Sequence, residues 1–217
     1  MALTTLPIVL ASTSPRRREL LGAMLGGEDR FCVVDPAFDD SDLVMGSRGR
    51  IPLEQWVASL AFLKAKAGAA AVVKAGGKGA DDCIVIGADT LVDQDGEVLS
   101  KPRDAADAER MIKLVRNRSH QVLTGVAVLH PLTGLRDVYA DRAIVTVGNL
   151  TDEQVAAYVA GSNWRGKSGA YNLGEQLKAG WPLKAEGDSG CVVGLPTRSL
   201  SVRLAAFVSR LVPREAA

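Results

Sequence analysis

Hydroxyl and guanidinium groups are concentrated in one short segment near the amino terminus, LASTSPRRRELL. Ser12 and Ser14 place hydroxyls between an apolar run and a predicted helix, and Arg16 and Arg17 follow on its first turn. Cations at a helix amino terminus are unfavourable by up to about 1 kcal/mol each, and a bound polyanion would reverse this effect. Arginine also grips phosphate oxygens with paired hydrogen bonds. The segment therefore predicts a phosphate site, with a solvated basic helix end, paired locally with Glu19, as the alternative.

A single carboxylate, Asp89, lies at the end of the apolar run CIVIGAD. We expect this run to be a buried strand that ends in Asp89, and ligands of α/β proteins lie at the carboxyl ends of strands. A carboxylate there can bind Mg²⁺ or position a water molecule, although a turn aspartate would look the same. Lys64, in a predicted long helix, and Lys101, beyond a predicted hairpin, would by themselves be interpreted as surface lysines.

The stretch GSNWRGKSG, residues 161–169, fits the phosphate-loop pattern G-x-x-x-x-G-K-[ST] at every fixed position. A working phosphate loop follows a strand and opens a helix, whose amino terminus supplies N–H groups. Here a predicted helix precedes the stretch, and a glycine-rich segment without an apolar stripe follows it. A P-loop NTPase is therefore only a minor alternative. A weaker interpretation remains, in which Lys167 contacts an anion from a flexible loop.

Composition and charge exclude several classes of protein. The chain has 217 residues, 47% hydrophobic and 24% charged, as expected of a soluble globular protein. A net charge of +1 gives no general attraction to nucleic acid or to a membrane surface. The two histidines and three scattered cysteines predict neither a histidine-based metal site nor disulfides. Because no apolar run reaches ~20 residues and no secretory signal is present, we expect a cytoplasmic protein.

Helical and strand patterns alternate along the chain, which predicts the α/β class. We expect strands over 6–12, 30–38, 83–89, 120–130, 139–150 and 191–195. We expect helices over 14–25, 53–75, 104–117 and 151–160, and a last one from Thr197. A hairpin turn is predicted at 94–96, and a loop from 161 to about 190.

The motifs LASTSPRRRELL, KAKA, IGADTLV, GEVLSKP, ADAERM, HQVLTGVAV, GKSGAYN and GDSGCVVGLP follow one another along this chain. In that order the chain resembles the Maf family over roughly residues 6–205. The resemblance implies a nucleoside triphosphate pyrophosphatase, which uses water and Mg²⁺ or Mn²⁺ to release a nucleoside monophosphate and pyrophosphate. It also implies one domain over 1–217, a two-lobed α/β fold related to the inosine triphosphatases, with a mixed twisted sheet, flanking helices and a central nucleotide cleft.

The resemblance further implies roles for individual residues. Asp89 would be the proton acceptor, with Lys64 and Lys101 as the catalytic lysines, and Asp89 and Asp40 would face the metal. The implied substrate-binding residues are Ser12, Ser14, Arg16, Arg17, Thr90, Lys167 and Gly174. The family often has Asp-Glu where this chain has Asp39-Asp40, so the shorter Asp40 departs from the pattern.

Substrate choice within the family depends on few positions. Arg16 and Thr90 match the pyrimidine-specific branch, whereas the 7-methyl-GTP branch would have tryptophan and glutamine there. The pyrimidine branch also has a glutamine shortly after GAY, where this chain has Gly174, with Gln176 two residues on. We expect hydrolysis of dTTP and UTP, or of modified pyrimidine triphosphates, by a homodimer. A nucleotide-sensing regulator of cell division is the alternative in another functional class.

Overall fold

The computed structural model describes residues 4–38, 51–76 and 79–211, so the predicted metal ligand Asp40 lies outside the described residues. Within them the strands are β1 (Ile8–Ala11), β2 (Cys32–Val34), β3 (Ile84–Gln94), β4 (Glu97–Leu99), β5 (Arg118–His130), β6 (Leu135–Val147) and β7 (Leu183–Glu186). The α-helices are α1 (Pro15–Leu25), α2 (Leu53–Gly76), α3 (Ala105–Val115), α4 (Asp152–Ala160), α5 (Leu173–Lys178), α6 (Ser189–Val193) and α7 (Thr197–Leu211).

The described strands form one mixed, seven-stranded sheet in the order β2-β1-β3-β5-β6-β7, with β4 paired to β3. β1 lies parallel to both β2 and β3, whereas the β3–β4 and β6–β7 pairs are antiparallel. Helices flank the sheet, so the predicted α/β class with a mixed sheet is confirmed. The predicted turn at 94–96 is also confirmed, since Asp95 and Gly96 have φ of 52° and 90°, as a two-residue hairpin turn requires.

The chain divides into two compact units. Unit 1 comprises residues up to 89, 124–141 and from 194 onward, and unit 2 comprises 90–123 and 142–193.

Unit 1 buries both faces of β1 and β3. Leu10 and Ile86 pack in one apolar cluster with Leu204 and Phe207 of α7, whereas Val9 and Ala11 pack in another with the alanines of α2. Strands covered on both faces have nearly continuous apolar sequences, which is why IVLA and IVIGA show no alternation.

Unit 2 has its own core, in which α3 and α4 pack on the β3–β4 hairpin, the first part of β5 and the last part of β6. Both helices begin at side-chain caps. Asp104 accepts a hydrogen bond from the Asp107 backbone N–H at 2.8 Å, and Thr151 forms a capping box with Gln154. Four aromatic residues, Tyr158, Trp164, Tyr171 and Trp181, complete this core.

Three predicted elements are wrong. The segment from 161 to about 190, predicted as a loop, contains the helix α5, the strand β7 and the start of α6. β3 does not end at Asp89 but continues to Gln94, because its outer half pairs with β4 after the β1 pairing ends at Gly87. The predicted strand 191–195 is instead the short helix α6, whose first turn is held by an Asp188 carboxylate that accepts from the Gly190 N–H at 2.8 Å.

α2 is the one described helix that is long and apolar enough, by composition, to cross a membrane. Buried core helices meet the same criterion. α2 buries Val57, Leu60, Ala61 and Ala65, and the two alanines pack in the apolar cluster that contains Val9 and Val85 of the sheet.

Candidate active site

Ser12 and Asp89 lie at the same edge of the β1–β3 pair. Ala11, the last residue of β1, is in register with Gly87 of β3, so Ser12 and Asp89 come one and two residues beyond the paired segment. Both residues are buried, with 5% of Ser12 and 6% of Asp89 exposed to solvent. The carboxyl edge of parallel strands is where α/β folds bind ligands, and unit 1 places a hydroxyl and a carboxylate there.

Lys64 and Asp89 form a close, largely buried ion pair. The Lys64 ammonium donates a hydrogen bond to Oδ1 of Asp89, and the two side chains are only 15% and 9% exposed. Charges withdrawn from water interact more strongly than surface pairs do. The pair brings together two of the three residues that the resemblance assigned to catalysis.

Lys64 reaches Asp89 because α2 packs very closely on the sheet. A Cβ atom on Gly87 would lie 2.5 Å from the Ala61 carbonyl oxygen and 2.6 Å from the Ala65 nitrogen. One on Gly125 of β5 would lie 2.2 Å from the Val57 carbonyl oxygen. Only glycine permits this approach at the two positions, which brings the helix turn carrying Lys64 next to β3.

The turn after β1 is organised by the Ser12 hydroxyl. Its Oγ accepts hydrogen bonds from the Ser14 backbone N–H at 3.2 Å and, at a longer 3.5 Å, from the Arg17 guanidinium. Arg17 Nε also donates to the Gly194 carbonyl oxygen at 2.8 Å. Ser14 precedes Pro15 at the start of α1 without a side-chain cap, so its hydroxyl is not used in holding the helix end.

The three arginines of α1 diverge, as the ~100° rotation per helical residue requires. Arg18 turns away to pair with Glu28 at 2.6 Å, so the local partner is Glu28 and not the Glu19 that the sequence suggested. Arg16 is half-buried, and the described part of the chain offers its guanidinium no hydrogen bond or ion pair. One arginine of the segment is thus held in place, while another remains available to an anion.

In unit 2, the predicted site residues lie on the β3–β4 hairpin and on a loop tied to it. Thr90 follows Asp89 directly on β3, and Lys101 lies exposed two residues beyond β4. The loop carrying Lys167 is joined to this hairpin by a hydrogen bond from the Gly169 N–H to the Ser100 carbonyl oxygen at 3.1 Å. The structure therefore brings the segments of Lys101 and Lys167 together.

Lys167 does not occupy a phosphate loop. Helix α4 ends just before the stretch. A three-residue 3-10 helix, Ser168–Ala170, begins within its last two residues, with φ of +71° at Gly169, and the next α-helix, α5, starts only at Leu173. The rejection of the phosphate-loop interpretation is confirmed by this geometry. The Lys167 ammonium pairs with the carboxylate of Glu175, a contact that the sequence did not predict, and the lysine side chain is only 12% exposed.

Gly174 and Gln176 lie on opposite faces of α5. Gly174 is exposed, and a Cβ atom there would meet only Asn172 Oδ1, at an ordinary 3.5 Å. Gln176 is buried, at 4% exposure. The helix therefore has room for a side chain at position 174, while the glutamine two residues later is turned into the core of unit 2.

A second buried polar pair, which the sequence did not predict, lies in unit 2. The hydroxyl of Tyr171 lies 2.9 Å from Nε2 of His120, and both residues are buried. Both lie within quoted motifs, HQVLTG and GAY. The sequence feature that could have pointed to this pair is His120 itself, which is one of two histidines in the chain and begins an apolar run.

The described residues contain no group of three or more histidine, cysteine or acidic side chains that could hold a metal by themselves. Asp89 is the carboxylate at the strand edge, and its Oδ1 is already shared with Lys64. One carboxylate is nevertheless a common protein contribution in nucleotide sites, where Mg²⁺ takes its other ligands from substrate phosphates and water. The donor set therefore fits a metal that arrives with a nucleotide.

The chain is similar to known proteins over most of its length. A family model described as Maf-like protein matches residues 7–207. A dTTP/UTP pyrophosphatase of Moorella thermoacetica is 41% identical over 92% of this chain and 94% of its own length. Proteins of the same name from Escherichia coli and Vibrio cholerae are 40% and 37% identical, covering 87% and 89% of this chain and 87% and 94% of theirs. The order of the motifs is thereby explained, and the chain belongs to the Maf family.

Proposed function

We propose that this protein hydrolyses dTTP and UTP to the nucleoside monophosphate and pyrophosphate. The single observation that carries the proposal is the buried Lys64–Asp89 pair at the carboxyl edge of β1 and β3, next to the Ser12 turn. The names of the similar proteins, dTTP/UTP pyrophosphatases that cover nearly the whole chain, support the same reaction and the same substrates.

In this reaction Asp89 accepts a proton from the attacking water. The water oxygen bonds to the α-phosphorus, the bond from that phosphorus to the bridging oxygen breaks, and pyrophosphate leaves. A positioned base of this kind contributes about 10²- to 10⁴-fold in rate. Once Asp89 is protonated, its attraction for Lys64 weakens, so the ammonium can face the negative charge that builds on the phosphate.

Phosphate recognition is assigned to the turn after β1. Arg16 supplies the guanidinium that the described residues leave without a partner, and Arg17, held by the Gly194 carbonyl, supplies a fixed one. The Ser12 and Ser14 hydroxyls and the amino terminus of α1 add donors to an anion at the same place. Bound phosphate would offset the unfavourable position of these cations on the first helical turn.

The remaining predicted residues belong to unit 2. We assign to Lys101 and Lys167 the neutralisation of the triphosphate charge. We assign to Thr90 and Gly174 the contacts with the nucleoside. Support comes from the sequence, where Thr90 directly follows the proton acceptor, and from the hydrogen bond that joins the Lys101 and Lys167 segments. Mg²⁺ or Mn²⁺ would be held by Asp89 together with substrate phosphates, and would supply Lewis-acid polarisation of the reacting phosphate and acidification of the water.

The proposed function predicts pyrophosphate as the product. A panel of natural and modified triphosphates, assayed with and without added inorganic pyrophosphatase, should give orthophosphate only when that enzyme is present. We expect dTTP and UTP to be the best substrates and EDTA to abolish turnover, with Mg²⁺ or Mn²⁺ restoring it. Direct release of orthophosphate would contradict the assignment, and nucleotide binding without any product would favour the sensing alternative.

Introducing a glutamine at position 174 should strengthen pyrimidine selection. A carboxamide can donate to and accept from the uracil or thymine edge at once, and the space around Gly174 admits a side chain. We expect Gly174→Gln to lower the KM for dTTP and UTP by about 3- to 10-fold, the range of one or two net hydrogen bonds, without lowering that for GTP.

The matched control is Gly174→Ala, which adds the Cβ atom and helix propensity without the amide. It should leave the ranking of the four bases unchanged. An equal gain in the alanine variant, or a glutamine variant with an unaltered ranking, would remove position 174 from base selection.

A further inference from the structure

The loop Lys167–Tyr171, called here the lysine loop, is held in a costly backbone conformation. Gly169 and Ala170 are both left-handed, with φ of 71° and 68°. The conformation is easy for glycine but costs an alanine about 1 kcal/mol or more. A loop with two consecutive residues of this kind keeps its shape only where the surroundings over-determine it.

Backbone contacts fix the middle of the lysine loop. The Gly169 N–H donates to the Ser100 carbonyl, the Tyr158 hydroxyl donates to the Ala170 carbonyl at 2.9 Å, and the Ser168 hydroxyl donates weakly to the Thr90 carbonyl at 3.5 Å. A Cβ atom on Gly169 would lie 3.1 Å from Val92. The contacts with Ser100, Thr90 and Val92 tie the loop to the β3–β4 hairpin, and the Tyr158 hydrogen bond ties it to α4.

The carboxyl end of the lysine loop is fixed by Tyr171. Its ring packs against Trp181, with centroids 5.9 Å apart, and its hydroxyl is hydrogen-bonded to Nε2 of His120 on β5. Burial lowers the pKa of His120 to about 4 and raises that of Tyr171, so both groups are neutral at physiological pH. Nδ1 of His120 is buried without a partner among the described residues. Among the described residues, this imidazole therefore makes a single hydrogen bond, from Nε2 to the lysine loop.

We propose that the His120–Tyr171 hydrogen bond positions Lys167 for the triphosphate. It holds the last residue of the lysine loop against β5, while the hairpin contacts hold the middle. Lys167 begins the loop and can therefore keep one location. The inference rests on the proposed function for the identity of the ligand. Neither His120 nor Tyr171 is assigned a contact with substrate, so both act through the lysine.

Tyr171→Phe is the cleanest test, because it removes the hydroxyl and keeps the ring that packs on Trp181. We expect the KM for dTTP to rise about 10-fold, the effect of weakening one charge-assisted contact, with kcat changed less than about 2-fold. The dissociation constant of a non-hydrolysable α,β-methylene analogue of UTP should rise by the same factor. This binding measurement does not depend on turnover, so failure of the inference and failure of the proposed reaction are distinguishable.

Two comparisons separate positioning from a loss of folded protein. His120→Gln places an amide near the position of Nε2 and should retain most of the affinity, whereas His120→Leu should resemble Tyr171→Phe. In a Lys167→Ala background, Tyr171→Phe should have no further effect on binding. Tyr139→Phe, which removes another buried hydroxyl, one without a hydrogen bond among the described residues, is the control and should leave KM unchanged.

An unchanged analogue affinity in Tyr171→Phe would overturn the proposal. So would an additive loss in the Lys167→Ala background, because the hydroxyl would then act independently of the lysine. A lower unfolding temperature with wild-type affinity would assign the pair to stability alone.

Discussion

Asp89→Asn should reduce kcat by about 10²- to 10⁴-fold, the contribution of a positioned general base. The amide keeps the size of the carboxylate but has no charge and no useful basicity, so proton removal from water is lost. Nucleotide should still bind, because the Ser12 turn, Arg16 and Arg17 are untouched. With its carboxylate partner gone, Lys64 remains as an additional cation for the phosphates. We therefore expect the dissociation constant of the α,β-methylene analogue to stay the same or to fall.

The matched control for this variant is Asp107→Asn. Asp107 is likewise buried and ion-paired, with Arg110 at 3.1 Å, and lies in the first turn of α3. Hydrogen bonds to the Arg103 backbone and to the two arginines hold its pKa below the ordinary value even though burial opposes this. The asparagine should cost stability and leave kcat per folded molecule unchanged. Turnover of Asp89→Asn within a few-fold of wild type, measured by pyrophosphate release, would remove Asp89 from the proton-acceptor role.

The elements that local signals specify were predictable from the sequence. Helices α3 and α4 start where the caps Asp104 and Thr151 predict, and α1 starts at Pro15 directly after Ser14, because such signals are encoded within a few consecutive residues. Two of the errors arose where an apolar run had no local marker. CVVGL is too short for periodicity to separate strand from helix. The pairing of β3 with β1 ends at Gly87 because β1 itself ends at Ala11, so nothing within the β3 sequence marks that point.

The candidate site was predictable only in part, for a similar reason. Asp89 and the Ser12 turn are each recognisable in one short segment. The partnership of Lys64 with Asp89 joins residues 25 positions apart, and that of Tyr171 with His120 joins residues 51 apart. Such contacts depend on how closely elements pack. The relevant positions on β3 and β5 are glycines, whose role cannot be recognised without the helix that lies on them.

Gly87→Ala tests whether this close packing builds the site. The added methyl group would lie 2.5–2.9 Å from atoms of Ala61 and Ala65, and all three of these atoms belong to the α2 backbone. No side chain can rotate away, so the helix itself must shift. Overpacking of this kind costs about 1–3 kcal/mol and occasionally more, which urea unfolding monitored by circular dichroism would measure.

The same shift should damage catalysis, because Lys64 lies one residue before Ala65 and moves with it. A misplacement of about 1 Å at a reacting group can cost about 10²-fold in rate, so kcat per folded molecule should fall towards that factor. Gly161→Ala is the control, since its methyl group would meet no atom of the described residues closer than 3.4 Å and its φ of −70° suits alanine. That variant should keep both stability and turnover. If Gly87→Ala instead lost stability but retained wild-type turnover when folded, Asp89 would function without the placement of Lys64, and the ion pair would be a stabilising contact with no part in the reaction.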